Sequence, residues 1–242
     1  MSKKYHIFKR PNKNIRVNVE EKILPNNSSN LLGPQVPKYI VIHEVSLGTG
    51  KSPSEFNMEH YYKKIYDAGQ SGSTIGYHYL VGDNSIYHFI PDNIATGHTG
   101  TDFGNHKSIG VERLICKGIN YEYAIHNQAK LIATLMLKHN IPLSNVITHK
   151  EMQLRYGSEE RRNNPKQCPG RLIAGFRGTL NDFRTEIKRC FMHGWFFNEL
   201  LDEKTINKIP DVMAWAQRKY MEEINMKKQG RMRNINKDDI ER

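Results

Sequence analysis

Residues 39–45 of this chain read YIVIHEV, a β-branched apolar run that does not alternate with polar residues before it reaches a histidine. A strand with one wet face alternates, whereas a strand covered on both faces reads as a continuous apolar run, so this stretch calls for a sheet with layers packed on either side. The flanking segments supply those layers. In SPSEFNMEHYYKKIYDAG, Ser52 is the expected N-cap, Pro53 the first helical position and Glu55 the third, and the helix is expected to end at Gly69. IGYHYLV (75–81) and SIYHFI (85–90) read as strands joined by a Gly-Asp-Asn turn, and SIGVERLI (108–115) as a third. Helical spacing of Ile125, Ala129, Ile132 and Met136 predicts a helix over 121–140, and NVITH (145–149) returns to strand. Alternating strands and helices predict a single α/β domain around one sheet.

Residues 1–36 carry seven Lys or Arg against two Glu and contain the turn-rich LPNNSSNLLGPQVP, the pattern of a basic arm and linker. The expected organisation is thus an arm at 1–36, a folded domain at 37–190 and a helical C-terminal extension at 191–242. That extension places Met213, Ala216, Tyr220 and Ile224 on one helical face and ends in a polar tail expected to be solvated or disordered. The formal charge of +11 suits an anionic partner. The opening residues are basic but lack the apolar run of about 7–15 residues that a secretory signal needs, and no later run reaches the length of a membrane span, so neither export nor membrane insertion is expected. No zinc-finger spacing or other nucleic-acid signature is present, and no nucleic-acid partner is expected.

Three cysteines, at 116, 168 and 190, do not make a disulfide framework. Cys116 and Cys190 read as inert, half-buried thiols. Cys168 differs because it sits in KQCPG, after a long charged loop that begins at His149. His43 and His149 each end an apolar strand, where a side chain reaches the mouth of an open α/β sheet. Two histidines and a thiolate would leave one tetrahedral position open, the layout of a catalytic zinc, while the bland alternative is a pair of satisfied core histidines.

The ordered words YIVIHEV, IGYHYLVGDNSIYHFIPDNIATGHTG, NHKSIGVE, VITHK and KQCPG, spanning about Tyr39 to Gly170, resemble the zinc-dependent N-acetylmuramoyl-L-alanine amidases of phage lysins and peptidoglycan-recognition proteins. The resemblance implies a central mixed sheet flanked by helices, and hydrolysis of the amide between the muramoyl lactyl group and L-alanine of bacterial peptidoglycan. It implies one Zn²⁺ per chain held by His43, His149 and Cys168. Glu112 matches the family's general base, Tyr77 the tyrosine before the HYLV strand, Lys166 the basic residue two before the last ligand, and His98 a groove histidine expected to contact substrate or support a ligand. The chemistry suits those types. Zinc lowers the pKa of bound water from 15.7 to about 7 and polarises a carbonyl, a carboxylate can relay the proton, and a phenol and an ammonium can stabilise an oxyanion.

Two features depart from the family. His43 is followed by Glu44 where threonine is usual, with Glu44 expected to face solvent rather than to orient a ligand, and the loop between the second and third ligands is long. His78 is expected as a packed neighbour, since a catalytic zinc keeps its fourth position open. The function expected is that of a phage lytic enzyme, residing in the host cytoplasm before release to the wall or carried in a virion, with anionic wall polymers drawn to the basic arm. The alternatives are a non-catalytic peptidoglycan-binding module, against which the cysteine ligand argues, and a virion assembly protein.

Overall fold

The computed structural model describes residues 17–48 and 56–238, with backbone alone at 46–48, 219–220, 223–224 and 227–238. Its elements in chain order are β1 (Asn18–Glu21), β2 (Tyr39–Gly48), α1 (Met58–Gln70), β3 (Tyr79–Val81), β4 (Ser85–His88), α2 (Asp102–Lys107), β5 (Ser108–Cys116), α3 (Tyr121–His139), β6 (Val146–Thr148), α4 (His149–Tyr156), α5 (Glu159–Asn163), α6 (Gly170–Ile173), α7 (Leu180–Met192) and α8 (Glu203–Asp238). The strands form one mixed sheet in the order β1-β4-β3-β5-β2-β6. Every neighbouring pair is parallel except the β3/β4 hairpin.

Side chains alternate across a strand, and that period divides the molecule. Ile40, Ile42, Tyr79, Val81, Ile109 and Val111 face one side, where they join Ile125, Ile132 and Leu135 of α3 and Phe183 and Ile187 of α7 in the larger apolar core. Leu80 and Leu114 face the other side and pack with Tyr61 and Ile65 of α1. Val41 lies on that second face with Ile147 and Met152. His43, two residues beyond Val41, and Glu112, two before Leu114, therefore belong to the thinner α1/α4 layer. The covered-on-both-faces reading of YIVIHEV holds.

Several elements depart from the sequence-based expectation. The described half of the supposed arm is part of the domain: β1 pairs with β4, Leu24 is 2% exposed, and Asn30 and Gln35 are buried. Its turn-forming composition masked the buried hydrogen bonds that fix it, such as those from Asn30 Nδ2 to the carbonyls of Ile65 and Ile75. The Ser52, Pro53 and Glu55 of the predicted cap lie outside the described residues; α1 instead starts at Met58, capped by Asn57, whose side chain accepts from the His60 amide. The charged stretch after His149 is not a loop but two short helices. α4 is set by a capping box between Thr148 and Glu151, and its weak hydrophobic signal reflects how little it buries, namely His149, Met152 and Gln153.

At the C-terminal side, Phe196, Phe197, Leu200 and Leu201 enter the larger core, so packing continues past residue 190. α8 is helical through Asp238, including residues expected to be a solvated tail. Of the expected apolar face, Ala216 is buried and Met213 half-buried, while the side chains of Tyr220 and Ile224 are outside the description. No helix among the described residues is long and apolar enough to cross a membrane.

Candidate active site

β2 ends its buried run at His43, which is 1% exposed. β6 hands over directly to α4, so His149 is the first helical residue after the Thr148 cap. The α5 segment then returns the chain. The Lys166 amide donates to Gln153 Oε1 at 2.8 Å and the Lys150 amide to the Cys168 carbonyl at 3.3 Å, which docks Cys168 against the start of α4. The result is a buried trio of His43, His149 and Cys168 whose ligand atoms converge within 4.8 Å. Nδ1 of His149 is 3.2 Å from Nδ1 of His43, and Sγ of Cys168 is 3.8 Å from the same nitrogen.

Those separations fit a metal. Two nitrogens at about 2.0–2.1 Å from a tetrahedral zinc lie about 3.3 Å apart, and a nitrogen and a sulfur about 3.5 Å. The far sides of both rings are also engaged. His43 Nε2 is 3.0 Å from His98 Nδ1, and His98 Nε2 is 3.3 Å from Ser108 Oγ, whose own proton goes to the Gly104 carbonyl; His98 Nε2 therefore donates, which leaves His98 Nδ1 as acceptor and frees His43 Nδ1. His149 Nε2 lies 3.0 Å from Gln153 Nε2, an amide nitrogen that also donates to the Thr99 carbonyl at 2.9 Å. The His98 contact thus fixes His43 in the tautomer that a ligating histidine needs. Gly110 permits the arrangement, because a Cβ there would stand 2.8 Å from the His98 ring.

The electrostatics agree. Burial, then the neighbouring His149, holds His43 well below the usual histidine range, and burial with Lys166 lowers His149 to about 4, so both rings are neutral and able to coordinate at pH 7. Burial and the Glu112 charge push the Cys168 thiol up to about 12, so it is no free thiolate nucleophile and needs a cation to shed its proton.

Glu112 faces His43 across the β2/β5 register, with Oε1 3.8 Å from Nδ1. Its Oε2 is buried with no hydrogen-bond partner, and so are the hydroxyls of Tyr61 and Tyr77. Three orphaned polar atoms in one place are unusual in a protein interior and mark a site built for something else to bind. Burial raises Glu112 to about 8, against the opposing charge of Lys166, and burial followed by the Glu112 charge raises both phenols. Tyr77 packs its ring on Phe89 with centroids 5.4 Å apart.

These groups lie along a groove of about 500 Å³ lined by Tyr61, Tyr77, His98, Glu112, Arg161 and Lys166 among others. Lys166 is an exposed residue at its rim. A larger groove of about 770 Å³ between α3, α7 and α8 is lined by Met136, Ile141, Phe191 and Trp215, with no carboxylate, histidine or thiol, and so offers no comparable chemistry.

All seven residues singled out from the sequence thus stand in one place. His78 hydrogen-bonds to Gln35, the Ile94 carbonyl and the Gly110 amide, as a packed neighbour. Glu44 does not face solvent: its side chain is 2% exposed and paired with Arg113 at 2.6 Å, on the opposite side of the sheet from His43. Removing one partner of such a buried pair costs about 3–5 kcal/mol. Gln153, Tyr61 and Asn105 were not singled out. Gln153 is one helical turn after His149, a signal hidden while that stretch read as loop; Asn105 Oδ1 accepts from the His98 and Thr99 amides.

A family model described as N-acetylmuramoyl-L-alanine amidase matches residues 33–171, more than half of the chain, and the chain belongs to that family. Among curated relatives, the N-acetylmuramoyl-L-alanine amidase CwlH of Bacillus subtilis is 29% identical over 171 residues, covering 68% of this chain and 60% of that protein. The B. subtilis amidase XlyA is 32% identical over 162 residues, covering 65% of this chain and 48% of that one. The chain therefore spans only about half to three-fifths of the length of these relatives. Among solved structures, a mutant endolysin from Bacillus subtilis superposes with a TM-score of 0.57 at 29% identity, covering 71% of this chain and 99% of that one.

Proposed function

We propose that this chain hydrolyses the amide between N-acetylmuramic acid and L-alanine in bacterial peptidoglycan, with His43, His149 and Cys168 holding one zinc ion. The observation that carries this reading is the convergence of two neutral ring nitrogens and a thiol beside a carboxylate with one buried, unpartnered oxygen, at a groove that His149 and Glu112 line, in a chain of this family. Zinc would supply a Lewis acid that polarises the scissile carbonyl and acidifies water at near-neutral pH.

The protein's own groups divide the remaining work. Glu112, raised to about 8 by burial, is the group that takes the proton from the attacking water and returns it to the leaving amine of L-alanine. The Tyr77 hydroxyl and the Lys166 ammonium are the donors for the oxyanion, an effect worth about 2.7–4 kcal/mol per donor in measured cases. His98 has both ring nitrogens engaged and holds His43; its edge along the groove is where it would touch substrate. The setting proposed is that of a phage lytic enzyme, free or virion-borne, which the likeness to a solved endolysin supports. Anionic wall polymers are the proposed partners of the basic first residues.

The test is digestion of purified peptidoglycan by enzyme stripped with a chelator and then reloaded. Free N-terminal alanine should appear only after zinc is restored; full activity in stripped protein would remove the metal from the account.

A further inference from the structure

Glu44 and Arg113 follow His43 and Glu112 on their strands and are register partners as those two are, so the pair lies directly behind the site on the opposite face of the sheet. Arg113 is 0% exposed; its Nη2 donates to Glu44 Oε2 at 2.6 Å and its Nη1 to Gln128 Oε1 at 2.7 Å. Gln128 Nε2 donates to the carbonyls of His43 and Val111 at 3.2 and 3.0 Å, which ties the pair to the two strands that carry the site.

The free oxygen of Glu44 has a different target. Oε1 accepts from the Arg171 amide at 3.2 Å. Glu44 thus holds the Cys168 segment just past Pro169 and Gly170. That segment returns from α5, whose own residues are all exposed. Before Cys168 it is anchored to α4 by the Lys166 amide; after Cys168, Glu44 is its anchor to the sheet. A pair kept only for packing could be replaced by apolar side chains at no loss. A carboxylate fixed by an arginine on one oxygen, with the other aimed at a backbone amide, sets a position.

We propose that Glu44 is a positioning residue for the third metal ligand: anchored by Arg113, it holds the Cys168–Arg171 turn so that the Cys168 sulfur stands where it can share a metal ion with His43 and His149. This rests on the reading of His43, His149 and Cys168 as metal ligands. It also gives a role to the residue at which the sequence departs from the family pattern beside the first histidine.

The test compares zinc affinity, and the thiolate-to-cobalt absorption of the Co²⁺-loaded protein, in wild type, Glu44→Gln, Arg171→Pro and Glu44→Gln combined with Cys168→Ser. Arg171→Pro removes the donated amide while leaving the Glu44–Arg113 pair intact, at a first-turn helical position that tolerates proline. It therefore carries the test if Glu44→Gln does not fold. Both single variants should bind zinc on the order of 10- to 100-fold more weakly, as loss of an outer partner does, with a diminished thiolate band. In the Cys168→Ser background Glu44→Gln should change affinity by less than about twofold, because it acts only through the sulfur. Wild-type affinity and a full thiolate band in both single variants would overturn the proposal, as would an equal loss without the cysteine. A wild-type protein with no thiolate band would instead overturn the ligand reading, and the proposal with it.

Discussion

His43 and Glu112 are direct register partners on the parallel strands β2 and β5, with the carboxylate 3.8 Å from the ring nitrogen that faces Cys168. The pairing places a carboxylate beside the candidate ligands without making it one of them, and the rigid backbone of two buried strands holds it there. Glu112→Gln keeps the shape and cannot accept a proton. Turnover should fall by about 10² to 10⁴ while zinc content stays at one per chain. Turnover near wild type, measured on protein of verified metal content, would move the base role to another group.

Cys168→Ser exchanges a thiolate for a neutral hydroxyl, a far poorer ligand. The purified variant should lose most of its zinc and its activity while keeping the wild-type circular dichroism. Metal analysis after dialysis reads this directly, and full occupancy would take Cys168 out of the site.

The raised thiol of Cys168 has a consequence for pH. Burial holds it protonated, near 12, until a cation is bound, so zinc binding must release that proton. Zinc affinity should rise with pH across the neutral range, and calorimetry in buffers of different ionisation enthalpy should report about one proton released per zinc. No proton release would mean that the thiol is not a ligand.

Asp92 lies outside the site and bears on stability. Burial disfavours its charge, but the hydrogen bond from His139 and the Lys138 charge outweigh that and hold the carboxyl well below the usual aspartate range. Tyr79 also donates to it, and His88 stands 3.8 Å away with Glu21 on its far side. A depressed pKa stabilises the fold at any pH above the unfolded value near 3.8, and the effect is lost as pH falls through the folded value. Asp92→Asn should therefore cost about 1.5–3 kcal/mol at pH 7, with the difference from wild type shrinking below pH 4. Denaturant melts at pH 7 and pH 3.5 measure it; a pH-independent difference would contradict it.

Residues 1–16 carry six Lys or Arg and no acidic residue. Deleting them should weaken sedimentation with purified walls most at low salt, since at about 0.15 M the Debye length is near 8 Å and long-range attraction is largely screened. Cleavage of small soluble muropeptides should be unchanged. Equal wall binding by the truncated protein at low salt would remove the arm from wall recognition.

The site was more legible than its supports. His43 and Cys168 announced themselves because an apolar strand ending in histidine and a thiol beside Pro169 and Gly170 are local patterns, and motif order supplied Tyr77, Glu112, His98 and Lys166. Glu44 misled because the side of a strand on which a charge is buried depends on a partner, Arg113, 69 positions away. β1 was hidden for a related reason. A four-residue edge strand with the pattern Asn-Val-Glu-Glu carries almost no periodic signal, and its pairing with β4 is a long-range fact. The helices after His149 escaped notice because a helix that buries three residues of eight reads as polar.

The central claim concerns which bond is cut, and the products state it. A purified muropeptide incubated with the zinc-loaded protein should yield, by mass spectrometry, an intact disaccharide with a free lactyl carboxylate and a peptide beginning with L-alanine, with no new reducing ends. Reducing sugar in place of free N-terminal alanine would make the enzyme a glycosidase and contradict the account.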